Sequence, residues 1–179
     1  MMSDLDIHAT ASAPGAARAR SLLWLPVSLV LIFFDQLTKA MIVEQLVEYQ
    51  RINVLPIFDI VRFHNTGAAF SLFADASGWQ NWLFTGVAVV VSAGIIWYQW
   101  VLPRVGARTL ALGLALVLGG AIGNLVDRLN HGYVVDFLLI YYKKLSWPAF
   151  NVADSAICIG VALIIIDSLF FERKRKVAE

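Results

Sequence analysis

The stretch ARTLALGLALVLGGAIGNLV, residues 107–126, decides the fold class of this chain. At a rise of about 1.5 Å per residue, an apolar helix of this length crosses a hydrocarbon core about 30 Å thick. Its Gly119 and Gly123 have the small-xxx-small spacing that permits close helix packing. Three further apolar runs of similar length lie at about residues 21–41, 79–100 and 152–171. We therefore predict an α-helical integral membrane protein with four transmembrane helices.

The composition agrees with a membrane protein. Of the 179 residues, 59% are hydrophobic and 15% are charged, with a mean hydropathy of +0.71, whereas soluble domains carry about 25% charged residues. A net charge of +1 gives no indication of nucleic-acid binding. The only cysteine, Cys158, excludes an internal disulfide framework. Because it lies in an apolar run, we expect a buried, inert thiol.

The first apolar run could instead be a cleavable signal peptide. It passes directly into the polar stretch Asp35–Lys39 without a small-residue cleavage site, so we predict a retained helix. The organisation is then a flexible cytoplasmic tail at 1–20, a single membrane domain at 21–171 and a basic cytoplasmic tail at 172–179.

The basic residues predict the orientation of the four spans. An even number of spans places both chain ends on one side of the membrane, and the basic clusters near helix ends mark that side as cytoplasmic. These residues are Arg18, Arg20, Arg104, Arg108, Arg173, Lys174, Arg175 and Lys176. Both termini are therefore expected in the cytoplasm.

Two segments, at about residues 43–78 and 127–151, are left on the opposite, periplasmic side. In the first, Phe58–His64 has a strand-like composition, and Asn65-Thr66-Gly67 follows as a turn. We predict a small β element that rests on the membrane surface. The second segment is short and carries much of the candidate chemistry.

Two aspartates are the strongest candidates for catalysis. Asp136 is a lone carboxylate among apolar neighbours, and partial burial would raise its pKa; a loop acid facing water is the alternative. Asp154 stands three residues after Asn151, in the pattern of a capping box. A capping role alone would explain Asp154, although capping and catalysis are compatible because a helix N-terminus holds the carboxylate firmly.

Two nearby carboxylates that share one proton can activate water. The ionised carboxylate takes a proton from water, and the protonated one donates a hydrogen bond to the scissile carbonyl. We expect Asp154 to be the more acidic partner, because the helix dipole favours its charged form. The sequence has neither an H-E-x-x-H nor a G-x-S-x-G motif, and its three histidines are scattered. Hydrolysis would therefore depend on carboxylates, with no metal.

Other polar residues in the apolar runs suggest supporting roles. Asp35 and Lys39 have the i, i+4 spacing of a helical ion pair, in which the lysine would snorkel toward the interface. Asp127 stands at the unfavourable end of a helix dipole, so a salt bridge to a nearby arginine such as Arg128 is expected. Arg128 could instead contact the substrate or a lipid head group.

Five stretches together resemble the lipoprotein signal peptidase family (prolipoprotein or type II signal peptidases) of bacterial inner membranes. They are DQLTK at 35–39, NTGAAFS at 65–71, GGAIGNLVDR at 119–128, GYVVDF at 132–137 and FNVADS at 150–155. Each stretch alone is modestly specific, but five in the family's order, spread over about residues 22–171, make a specific match.

The resemblance implies four transmembrane helices with a small periplasmic β cradle and a short periplasmic amphipathic helix. It implies an aspartic endopeptidase without cofactor, which cleaves diacylglyceryl-modified prolipoproteins just before the lipidated cysteine. The expected partners are these substrates, membrane lipids and globomycin-type inhibitors, with no nucleic acid, and we expect a monomer. The family's catalytic aspartates correspond to Asp136 and Asp154. Its supporting residues correspond to Asp35, Lys39, Asn65, Asn124, Asp127, Arg128 and Asn151.

Two other functions explain some of the same residues. A small proton-coupled carrier would use the charges at membrane depth, such as Asp35 and Lys39. Carriers usually place such charges at mid-bilayer, in broken or repeated helices, whereas these cluster at one interface and the sequence shows no repeat. A non-catalytic scaffold would leave the polar cluster without a purpose.

Overall fold

A computed structural model describes residues 21–67, 78–102 and 107–172. The N-terminal tail, residues 103–106 and the basic residues at 173–176 lie outside the described residues. Most of the positive charges that predict the orientation are among them, so the orientation stays a prediction.

Four long helices dominate the described residues. They are α1 at Leu25–Gln45, α2 at Trp79–Val101, α3 at Arg108–His131 and α4 at Val152–Phe170. Each is long and apolar enough to cross a membrane, which confirms the predicted fold class. A short 3-10 turn, Ser21–Trp24, precedes α1.

Helix α3 is the most buried of the four and packs against each of the others. It continues past Val126 to His131, where Gly132 ends it with φ +79° and donates its N–H to Arg128 O at 3.0 Å. Because glycine adopts positive φ without strain, it suits this helix end. Asp127 and Arg128 are therefore helical residues rather than part of a loop.

The glycines of α3 permit close approach of two helices. A Cβ at Gly119 would lie 3.0 Å from Ser28 O on α1, and one at Gly120 would lie 2.4 Å from Ala153 O on α4. The distance at Gly120 is shorter than real Cβ contacts and that at Gly119 is shorter than most, so a side chain at either position would force the neighbouring helix or side chains to shift. The close packing predicted for the glycine face of α3, which consists of Gly119, Gly120 and Gly123, is confirmed. It brings the start of α4 directly against α3.

A four-stranded antiparallel sheet covers one end of the bundle. Its strands, in spatial order, are β1 at Arg51–Leu55, β2 at Phe58–Asn65, β3 at Val134–Tyr142 and β4 at Leu145–Ser146. The predicted strand is confirmed as β2. Strand β3 was not predicted, and its pairing with β2 places Phe63 opposite Asp136.

The chain after β4 returns along β3 and delivers the start of α4 to the sheet. Phe150 accepts the N–H groups of Phe137 and Leu138 at 3.0 and 2.8 Å, and it donates its own N–H to Leu138 O at 3.0 Å. Asn151, the next residue, therefore lies beside Asp136. This short pairing positions the candidate site.

The short helix implied by the family resemblance is not among the described residues. Between the spans, residues 46–67, 78, 102, 107 and 132–151 form strands, turns, bends and irregular chain. Residues 68–77, which include part of the NTGAAFS stretch, lie outside the described residues.

Candidate active site

Asp136 lies on β3 and is 3% exposed. Its Oδ2 accepts a hydrogen bond from Asn65 Nδ2 at 2.8 Å, and its Oδ1 accepts one from Asn151 Nδ2 at 2.8 Å. The two amides approach from β2 and from the start of α4. They fix the carboxylate from both sides, as a buried polar group requires.

Burial raises the pKa of Asp136 to about 7. This value is the net result, to which the nearby charge of Asp154 also contributes, whereas the hydrogen bonds from Asn65 and Asn151 and the charge of Lys39 act in the opposite direction. Near neutral pH, Asp136 is therefore present in both the protonated and the ionised form. A carboxyl group with this property can act as a general acid or base at physiological pH.

Asp154 lies in the first turn of α4. The capping box expected from the sequence is confirmed, since Asp154 N donates to Asn151 Oδ1 at 2.9 Å and Asn151 N donates to Asp154 Oδ2 at 3.3 Å. Asn124 Nδ2 also donates to Asp154 Oδ1 at 2.7 Å. The cap thus orients the carboxylate toward α3.

Two asparagine side chains link the two aspartates. Asn151 Nδ2 donates to Asp136 Oδ1 and lies 3.2 Å from Asn124 Oδ1. Asn124 Nδ2 then donates to Asp154 Oδ1. The structure therefore brings the two predicted carboxylates to the same end of the bundle and joins them through Asn151 and Asn124.

Lys39 forms a buried ion cluster with two further acids, Asp35 and Asp127. Its Nζ lies 2.8 Å from Asp35 Oδ2, 2.9 Å from Asp127 Oδ2 and 3.0 Å from Asn124 Oδ1. The i, i+4 pair with Asp35 is confirmed, but snorkelling is not, since Lys39 is 3% exposed. The cation beside Asp127 is Lys39 rather than Arg128, because α1 packs closely against the glycine face of α3.

Each of these acids also holds the main chain beside a candidate catalytic residue. Asp35 Oδ1 accepts the N–H of Ala153 at 2.9 Å, and Asp127 Oδ2 accepts the N–H of Val135 at 3.1 Å. Ala153 directly precedes Asp154, and Val135 directly precedes Asp136. The buried ion cluster therefore fixes the backbone at both candidate residues.

Arg128 lies one helical turn after Asn124 on α3 and reaches toward Gly67, just after β2. Its two terminal nitrogens lie 3.4 Å from Asn124 O and 3.4 Å from Gly67 O. Its guanidinium stands over the Phe84 ring of α2, 5.4 Å from the ring centre. Arg128 thus brings a positive charge to the wall of the cavity described next.

A cavity of about 580 Å³ is lined by Asp154 but not by Asp136, which contacts the lining residue Asn65. Its polar wall includes Asp154, Asn124 and Arg128, and much of the rest is apolar: Val134, Trp147, Pro148, Ala149, Phe150, Ile157 and Ile159. Cys158 also lines the cavity and is exposed. The expectation of a buried thiol was therefore wrong, because this face of α4 borders the cavity instead of another helix.

No metal site is found in the described ranges, where no three potential ligands among His, Cys, Asp and Glu cluster suitably. His64 and His131 both stack on Tyr133, at 3.8 and 5.6 Å between ring centres. Glu48 pairs with His64 at 3.0 Å.

Sequence reasoning missed one residue of the cluster and one nearby network. Gln36 donates from Nε2 to Asp127 Oδ1 at 2.9 Å. Its position within DQLTK, three residues before Lys39, places it near the same helix face, which could have revealed it.

In the sheet, the fully buried Asp59 accepts hydrogen bonds from Arg51, Asn53 and Tyr141. Nothing in the local sequence indicates this network.

Comparison with known proteins identifies related chains. The family model described as Signal peptidase (SPase) II matches residues 27–170. A lipoprotein signal peptidase of Alteromonas mediterranea is 49% identical over 150 residues, covering 84% of this chain and 82% of the relative. That of Teredinibacter turnerae is 50% identical over 150 residues, covering 84% and 89%.

Two solved structures, both described as a bacterial membrane enzyme determined by the in meso method, share the fold. One, at 2.3 Å resolution, has a TM-score of 0.70 and 29% identity, covering 84% of this chain and 87% of that one. The other, at 1.9 Å resolution, has a TM-score of 0.67 and 29% identity, covering 86% and 94%.

Proposed function

The chain belongs to the signal peptidase II family, and on that premise we propose that Asp136 and Asp154 are its catalytic pair. It is a membrane protease that cleaves signal peptides from lipoprotein precursors. Membership of this family decides against the two other functions suggested by the sequence, a proton-coupled carrier and a non-catalytic scaffold. The observation that carries the proposed roles is the chain of hydrogen bonds through Asn151 and Asn124, which joins the buried Asp136 to Asp154 on the wall of a largely apolar cavity.

The proposed reaction uses one proton shared by the pair. Ionised Asp154, held by the capping box at the start of α4, removes a proton from a water molecule. The hydroxide oxygen bonds to the scissile carbonyl carbon, while protonated Asp136 donates a hydrogen bond to the carbonyl oxygen. When the tetrahedral intermediate breaks its C–N bond, the proton taken from water passes to the leaving amine. The two carboxyl groups titrate as a pair.

The asparagines would hold this arrangement before the substrate arrives. Asp136 accepts one amide hydrogen bond on each oxygen, from Asn65 and Asn151. Asp154 is held by Asn124 and by the cap at Asn151. Preorganised donors reduce the reorganisation that the reaction requires. Asp35, Lys39 and Asp127 would support the pair through the backbone at Ala153 and Val135.

The cavity indicates the class of substrate. Its apolar wall follows the first turns of α4, where Ile159 is 56% exposed, and Trp147 is 60% exposed at the loop before that helix. A lipidated helical precursor has to enter sideways from the bilayer, and an apolar groove beside a spanning helix suits that path. We propose diacylglyceryl-modified prolipoproteins as substrates, with cleavage just before the lipidated cysteine.

The proposed location is the bacterial inner membrane, with both termini in the cytoplasm and the active site at the periplasmic side. The basic residues near the chain ends support this orientation. Membrane lipids would surround the four spans, and globomycin-type inhibitors would occupy the same cavity. We propose that the chain acts as a monomer.

The test is a cleavage assay on a lipidated synthetic precursor with Asp136→Asn and Asp154→Asn. Each change is nearly isosteric and removes one titratable carboxyl group, so we expect cleavage to be abolished while the protein still inserts and folds. Asp59→Asn is the control, because Asp59 is buried like Asp136 but lies in the sheet network. Retained cleavage in either of the first two variants would remove that residue from the mechanism.

A further inference from the structure

Gln36 joins α1 to α3 through one amide nitrogen. Its Nε2 lies 2.9 Å from Asp127 Oδ1, 3.1 Å from Gly123 O and 3.2 Å from Asp35 Oδ2. The amide therefore contacts both acids of the buried cluster as well as the helix backbone between them. None of the roles assigned above uses this side chain.

The Gln36 amide donates to the carboxylate oxygen of Asp127 that Lys39 and Val135 do not contact. Asp127 Oδ2 accepts from Lys39 Nζ and from Val135 N, whereas Oδ1 accepts from Gln36. The terminal torsion of an aspartate is broad and nearly two-fold, so a carboxylate held on one oxygen can rotate. A donor on each oxygen prevents that rotation and keeps Oδ2 directed at Val135.

The charge balance of the cluster explains why a neutral amide suits this position. Asp35 and Asp127 are both in contact with the single ammonium group of Lys39. A carboxylate in place of the amide would bring a third negative charge to the same site, where burial makes repulsion strong. A neutral donor supplies the hydrogen bonds without adding charge.

We propose that Gln36 is a positioning residue for catalysis, which acts by fixing the rotation of Asp127 and thereby the backbone at Val135 and Asp136. This inference rests on the proposed catalytic role of Asp136. Gln36 touches neither Asp136 nor Asp154, so it affects the rate of the chemical step through Asp127. Substrate affinity should depend on it little.

The first test compares Gln36→Met with Thr38→Val. Methionine keeps the length and apolar stem of glutamine but lacks the donor. Thr38 lies in the same motif, but its hydroxyl donates only within its own helix, to Phe34 O and Asp35 O. For Gln36→Met we expect kcat on a lipidated precursor to fall about tenfold, the order expected for losing a hydrogen bond to a charged group, with KM nearly unchanged. Thr38→Val should keep the original kcat.

The second test is the pH profile of Gln36→Glu, which has almost the shape of glutamine. When protonated, the introduced carboxyl group can donate to Asp127 as the amide does; when ionised, it cannot donate and it repels. We expect its kcat, relative to the unchanged protein, to rise at least severalfold as pH falls from 8 to 5.5. A role in packing alone would produce no such rise.

The inference is wrong if Gln36→Met keeps its kcat. It is also wrong if the relative activity of Gln36→Glu does not change with pH, and this variant decides the matter should Gln36→Met fail to fold. Asp136→Asn is measured in parallel. Loss of cleavage in that variant with full activity in Gln36→Met rejects only the role of Gln36, whereas retained cleavage in Asp136→Asn rejects the proposed catalytic pair itself.

Discussion

Lys39 Nζ and Asp127 Oδ2 lie 2.9 Å apart across the α1–α3 interface, and both side chains are almost completely buried. The same ammonium group lies 2.8 Å from Asp35 Oδ2. One cation therefore pairs with two acids that bind the backbone beside Asp136 and Asp154. The geometry of the proposed catalytic pair depends on this single buried charge.

Lys39→Met should destabilise the protein strongly. It leaves Asp35 and Asp127 buried without their cation, and removing one partner of a buried ion pair costs roughly 3–5 kcal/mol. The measurement is thermal unfolding in detergent. The double variant Lys39→Met/Asp127→Asn should recover part of the loss, because it also removes a buried charge. Lys144→Met, at an exposed position in the turn between β3 and β4, is the control and should change little.

Cleavage should decline as the pH rises through about 7. The pKa of Asp136 is raised to about 7, mainly by burial, so the group is protonated below that pH and loses its proton above it. The proposed reaction needs that proton on the pair. The measurement is kcat/KM against pH, which reports the titrating groups of the free enzyme. An unchanged kcat/KM between pH 6 and pH 9 would contradict the assignment of the acid to Asp136.

Asn65→Leu should move this decline to higher pH. The hydrogen bond from Asn65 lowers the pKa of Asp136, because it stabilises the ionised carboxylate. Without that bond the pKa rises further, and the proton is retained to higher pH. The maximal kcat should also fall, by roughly tenfold, since one positioning hydrogen bond to a charged group is lost. A decline at lower pH than in the unchanged protein would contradict the proposal.

Gly120→Ala should reduce both stability and cleavage. The added Cβ would lie 2.4 Å from Ala153 O, so the start of α4, which carries Asp154, has to move. Overpacking of this kind costs roughly 1–3 kcal/mol. Gly94→Ala is the matched control, because a Cβ at Gly94 has no atom within 4 Å. Equal unfolding temperatures for the two variants would contradict the packing described here.

Alkylation of Cys158 should inhibit cleavage. The thiol is exposed and lines the cavity one helical turn after Asp154, and it is the only cysteine in the chain. A membrane-permeant maleimide would fill part of the cavity, so activity should fall as labelling proceeds, and bound substrate should slow the labelling. The cleavage activity of the unchanged protein and of Cys158→Ser is measured with and without the maleimide. Cys158→Ser should show no effect of the reagent.

The sequence by itself determined the four spans and the chemical groups available to them. A run of about twenty apolar residues has to form a helix in lipid, because an unpaired backbone group costs too much there. The capping box at Asn151 and the pair of Asp35 with Lys39 are local, so their spacing alone predicts them.

Only the tertiary structure decided how these groups meet. The apolar segment VVDFLLIYY, residues 134–142, lacks the alternation that marks a half-buried strand, because one residue after another is buried along its first half. Lys39 and Asn124 are 85 positions apart in the chain, and the glycine face of α3 brings them together. Contacts of this range depend on the packing of whole helices. For that reason the sequence predicted which residues matter, and the fold decided that Lys39, rather than Arg128, neutralises Asp127.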